Sequence, residues 1–136
     1  MKKSALALLL AITASACNND KQEEKKVLDD ILAKHETVME ADGKAVDHKM
    51  ILDSLLKNNL ITAGKDSATA LSKDLQTTDE RMSNWMQKFN MEYKGKDHAD
   101  VMKYYNGQRT EINAIDSQLN TLNKQADGLL SKYKKP

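Results

Sequence analysis

Apolar side chains punctuate the C-terminal third of the chain at Val101, Tyr105, Ile112, Ile115, Leu119, Leu122, Ala126, Leu129 and Tyr133. With Gln108 as its one polar member, this stripe advances in alternating steps of four and three residues. That period predicts a coiled-coil-like helix over about 97–133, about 50 Å long at 1.5 Å per residue. The same spacing runs through Ala68, Leu71, Leu75, Thr78, Met82, Trp85 and Phe89 and predicts a middle helix over about 66–93. Earlier, Leu28, Ile31, Leu32, His35, Val38, Met39, Val46, Met50, Leu52, Leu55 and Leu56 form a broader apolar face. They predict a first helix over about 27–61.

The punctuation between these segments agrees. Gly64 is expected to end the first helix, and Asp66 or Ser67 to cap the second. Gly95 separates the second from the third, where Asp97 is the expected N-cap with Asp100 three residues on. Asp30/Lys34 and Glu40/Lys44 are spaced to pair along one helix face. Gly43 interrupts the first helix and is a candidate kink. Asn106-Gly107 would ordinarily read as a turn, but the heptad keeps its phase through it, which predicts continuous helix. The short links make neighbours antiparallel. The expected fold is therefore all-α: an antiparallel up-down-up three-helix bundle with coiled-coil-like heptad packing over residues 27–135, preceded by a signal peptide. The third helix is expected to project past the shorter middle one and to offer a surface for homo-oligomers.

The first residues carry an address. In MKKSALALLLAITASAC, Lys2 and Lys3 precede an apolar run from Ala5 to Ile12 and then small residues. The run is shorter than the ~20 residues a spanning helix needs, so residues 1–16 read as a removable leader. Ala14-Ser15-Ala16-Cys17 resembles a bacterial lipobox, with Ala14 where leucine is usual. Cys17 is the only cysteine of the chain, so it has no internal disulfide partner, and covalent acylation is its expected fate. Residues 18–26 hold no apolar side chain, so 17–26 reads as a lipidated cysteine and polar tether. Asn18 is not the aspartate that signals inner-membrane retention in many enteric bacteria. The outer membrane of a Gram-negative-type cell envelope is the favoured location.

Composition narrows the chemistry. With Lys2 and Lys3 in the leader, the 21 basic residues become 19 against 20 acidic ones, a net of −1. That balance gives no reason to expect nucleic acid. Lys132, Lys134 and Lys135 suit a helix C-terminus. Phosphate loops, dinucleotide fingerprints and nucleophile elbows are absent from the sequence, and His35-Glu36 lacks the second histidine of a zincin motif, position 39 being Met. The chain reads as non-enzymatic. One constellation offers chemistry: His35/Met39, Met82/Met86 and His98/Met102 each lie four residues apart, on one helix face. Counting from the expected turns gathers His35, Met39, Met86, Met91, His98 and Met102 at one end of the bundle. Imidazole and thioether ligands suit Cu(I), though methionine more commonly fills core gaps.

The segment Asp79-Glu80-Arg81-Met82-Ser83-Asn84-Trp85-Met86-Gln87-Lys88-Phe89, with His35-Glu36-Thr37-Val38-Met39 and the short lipoprotein leader, resembles a group of small envelope lipoproteins of Bacteroidota-type bacteria. Many of these carry the label "viral A-type inclusion protein". The resemblance covers roughly residues 28–130 and implies an envelope location and a helical fold, with no activity attached. The leading expectation is thus a membrane-anchored helical lipoprotein that binds an envelope protein or cell-wall component or acts structurally. A periplasmic Cu(I)-binding protein is the alternative.

Overall fold

The computed structural model describes residues 13–133, with side chains from Asn19 to Tyr133. Three helices make up the fold: α1 (Thr13–Lys57), α2 (Lys65–Lys88) and α3 (His98–Leu130). All three pack on one another as an all-α three-helix bundle. Cross-links fix the directions. Glu24, Lys34 and Lys44 on α1 reach His98, Asp116 and Asp127 on α3, so these two helices run parallel. Asp53 bonds Ser72 and His35 stacks on Trp85, so α2 runs back between the same ends. None of these helices is long and apolar enough to cross a membrane.

The core follows the heptads. Val101, Tyr105, Ile112, Ile115, Leu119, Leu122 and Ala126 are buried from α3, and Ala68, Leu71, Leu75, Thr78, Met82 and Trp85 from α2. Val27, Ile31, Val38, Ala45 and Leu52 close it from α1 at steps of four and then seven. The α3 stripe shifts near its end, where Leu130 rather than Leu129 is buried, as a straight helix of 3.6 residues per turn drifts against a seven-residue repeat. Because α1 runs beside the whole of α3, that stripe is used within one chain. The expected unpaired projection of α3 does not occur.

Several boundaries differ from the sequence pattern. α1 ends at Lys57, seven residues before Gly64; Gly64, at φ +73°, is instead the N-cap of α2, which has no side-chain cap. Asn59 turns the chain with φ 54°, and the buried Ile61 pins the connection to the core. α1 passes through Gly43 without interruption, and α3 through Gly107. Asp97 caps α3 as expected, accepting from the Asp100 amide at 2.9 Å. Lys34 and Lys44 bypass Asp30 and Glu40 to bridge to α3 at 3.1 and 2.7 Å.

The largest departure concerns the tether. The chain through 18–26 is helix, the first part of α1, and Glu24 within it is buried. The segment has no apolar side chains, but its helix is docked by charge. Glu24 receives Lys21 at 2.8 Å and the His98 ring at 3.0 Å. Residues 1–12 of the leader and Lys134, Lys135 of the tail lie outside the described residues, as does the side chain of Cys17.

Candidate functional site

The six residues grouped from the sequence occupy two levels of the bundle. His35 packs its ring on the Trp85 indole, centroids 6.0 Å apart, and Met86 is the next residue of α2. Met39 lies one turn further along α1, half-exposed like Met86. His98 sits at the level of Glu24, eleven residues before His35 on α1, or about 16 Å along the axis. Its two ring nitrogens face carboxylates, Nδ1 toward Glu24 at 3.0 Å and Nε2 toward Glu23 at 3.5 Å. Met102 packs partly buried against the core beside this end, and Met91 stands exposed on the α2–α3 loop. Counting from Gly64 places His35 level with residue 92. The true turn centres near Asn59 to Ile61, which brings His35 down to Trp85. Of the six, His35, Met39 and Met86 lie within about one turn of the Trp85 level, while Met91, His98 and Met102 lie toward the α2–α3 loop.

Around the α2–α3 loop the aromatics form a continuous stack. Trp85, Phe89, Tyr104 and Tyr93 follow one another with centroid separations of 4.8, 6.5 and 4.0 Å. The tyrosines also hold the loop backbone: Tyr105 donates its hydroxyl to the Met91 carbonyl, and Tyr104 accepts from the Asn90 amide, both at 2.8 Å. Burial pushes the Tyr105 hydroxyl above its usual pKa. Gly95 lies so close to α3 that a Cβ there would come within 2.9 Å of the Val101 nitrogen. A cleft of about 470 Å³ opens at this end between Asp20, Lys21 and Glu24 of α1 and Tyr93 to His98. A second cleft, of about 560 Å³, lies between α2 and α3. Its guanidinium, Arg81, is tied to Glu111 at 2.8 Å and to Gln118 at 3.0 Å.

Polar groups that the sequence pattern leaves unremarked fill the far half of the interior. Asn123 donates to the Ala41 carbonyl at 2.8 Å and meets His48 Nδ1 at 2.9 Å; His48 Nε2 faces Asp127 at 3.2 Å. This chain of contacts fixes the register of α1 against α3, since sliding either helix would strand buried polar atoms. Asp42, 6% exposed, faces Asp79 of α2, and its Oδ1 has no partner among the described residues. Burial first, then the neighbouring Asp79 charge, pushes its carboxyl up to about 6. The only sequence signal for these groups is polarity at positions flanking a stripe, Asn123 after Leu122 and Asp42 after Val38, which pattern alone assigns to solvent.

A second apolar line lies outside the core. Leu32, Met39, Val46 and Met50 form a second line on the outer face of α1, with Glu36 and Gly43 completing steps of four and three. Leu32, Met39 and Val46 are each 36–38% exposed, and Met50 more so. Nothing lies within 4 Å of where a Gly43 Cβ would stand. Glu40 and Asp47 border this line on its solvent side, and Glu36 lies within it. Fold and surface together define a helical bundle whose core leaves Asp42 Oδ1 and Trp85 Nε1 without partners among the described residues, and whose α1 carries a second, exposed heptad line. No family model, curated protein or solved structure matches the chain.

Proposed function

We propose that this protein is a non-enzymatic helical lipoprotein of the cell envelope, anchored through acylated Cys17, that binds a helix of a partner protein along the outer face of α1. The leader and lipobox-like Ala14-Ser15-Ala16-Cys17 support the anchor. The outer heptad carries the binding reading. An α-helix surface with apolar residues at heptad spacing is complementary to a second helix, and a glycine in an exposed helix interior costs about 1 kcal/mol relative to alanine. Among the described residues no other helix comes within 4 Å of a Cβ built at Gly43, so its small size leaves room for the close approach of another chain. Glu36 within the line and Glu40 and Asp47 beside it select a partner helix flanked by lysine or arginine and disfavour a second copy of the same acidic face.

A photoreactive residue in place of Val46 tests this in intact membranes. One adduct of defined mass is expected, lost when Met39→Lys or Gly43→Leu is added and unaffected by Leu60→Lys at the far tip. Adducts that ignore the seam variants would exclude α1 as the interface. Incorporation of labelled palmitate at Cys17, absent in Cys17→Ser, tests the anchor separately.

A second reading rests on the placement of His35, Met39 and Met86: a soft-metal site for Cu(I) on the α1–α2 face. An anaerobic Cu(I) titration against a competing chelator tests it. Binding must fall with Met86→Leu and be indifferent to His98→Ala; equal sensitivity to both would remove the site.

A further inference from the structure

On α1, Asp42 stands between the core line and the outer apolar line. The core residues Val38 and Ala45 lie four before and three after it, and the outer residues Met39 and Val46 lie three before and four after it. Its own strip of the helix faces α2: His35, seven residues earlier, stacks on Trp85, and Asp53, eleven residues later, accepts from Ser72. On α2, Asp79 is seven residues from both Ser72 and Met86, on the matching strip, and meets Asp42 as a second carboxyl. The floor of this α1–α2 seam is therefore a pair of acids, and its rim is Met39, Val46 and Met86, each more than a third exposed. We infer, resting on the docking of a partner helix along α1 proposed above, that the Asp42–Asp79 pair seats one basic side chain, lysine or arginine, of that helix.

Nothing within the chain meets this pair. Among the described residues neither Asp42 nor Asp79 enters an ion pair, and Asp42 Oδ1 is buried without a hydrogen-bond partner. The lysines of the same stretch of α1 are committed elsewhere, Lys34 to Asp116, Lys44 to Asp127 and Lys49 to Asp53, and Arg81 of α2 is committed to Glu111. On the α3 side Asn123 meets the Ala41 carbonyl and brings no cation. A helix laid over Met39 and Val46 removes more water from the two carboxyls. Without a cation that step adds to the cost of their charge, whereas an ammonium or guanidinium on half-buried Asp79 turns their repulsion into attraction. A basic partner is thus favoured at this point of the seam and a wholly apolar one opposed. The pair also costs the free bundle stability, the mark of residues kept for an interaction rather than for the fold.

The photoreactive residue at Val46, in the full chain in intact membranes, tests this. Asp42→Asn and Asp79→Asn should each lower the adduct yield by about tenfold or more, and Asp79→Lys should abolish it, while Asp79→Glu keeps most of it. Denaturation of the purified Asp42→Asn chain should show it at least as stable as the parent, which separates lost binding from lost folding. Fragment masses of the adduct should place a lysine or arginine of the partner within about one helical turn of the attachment point. A partner segment without one overturns the basic seat. Full yield from the Asp42→Asn, Asp79→Asn double variant, with the adduct still lost in Met39→Lys, also overturns it and leaves the α1 interface standing. An adduct that ignores Met39→Lys, or no adduct at all, overturns both.

Discussion

Asp42 carries a charge that its burial among α1 and α2 disfavours. Its carboxyl titrates near 6 when folded and near 3.9 when unfolded, so the folded state takes up a proton more readily. Stability from this group accordingly rises as pH falls from 7 through 6 toward 4. The His98 ring, raised above its usual pKa chiefly by its bond to Glu24, acts in the same direction in the upper part of that window. Asp42→Asn removes the buried charge and leaves a donor for Asp79. Chemical denaturation at pH 7 should show it more stable by about 1–3 kcal/mol, with the Asp42 part of the pH dependence between 7 and 5 removed. The opposite sign is expected at Gly95, where an added methyl must displace α3 backbone. Gly95→Ala should lose about 1–3 kcal/mol in the same assay. Neither residue announces itself in the sequence. Asp42 reads as one more acid on a charged helix, and Gly95 reads correctly as a separator without revealing that it touches Val101.

Between helices, the legible part is the periodic part. The α3 stripe and the Ala68-to-Trp85 stripe are both read from spacing alone, since seven-residue repeats bury the same face whatever their partner. α1 is legible as a helix but not as a face, because apolar residues occupy two sides of it, one inside and one outside. Its extension through 18–26 is hidden, since docking by Glu24 to Lys21 and His98 depends on a partner 74 residues away. Amide exchange checks that docking: Glu24→Gln with His98→Ala should deprotect residues 19–26 and leave α2 protected. In the unmodified chain the contact should weaken as pH rises through the folded His98 pKa, above 6.5, and as pH falls through the Glu24 pKa, held below 4.5 chiefly by Lys21. Register is hidden for the same reason. Asn123→Ala leaves His48 and the Ala41 carbonyl without their partner, and should cost about 1–3 kcal/mol by denaturant titration.

At the scale of the molecule, the candidate ligand cluster shows how a small error in a turn propagates. Placing the α1–α2 reversal at Gly64 rather than near Ile61 moves every α1 residue along α2, and His35 is carried from Trp85 to the far end. Continuity of α1 has the reverse effect, because nothing along it absorbs displacement. From Cys17 to Lys57 the helix advances about 60 Å at 1.5 Å per residue, without a joint at Gly43. Were Cys17 to carry lipid as proposed, the bundle would act as a gauge of fixed length. Its reversal at Asn59 and Leu60 would then stand at a set height above the bilayer, able to meet a partner at one distance and no other.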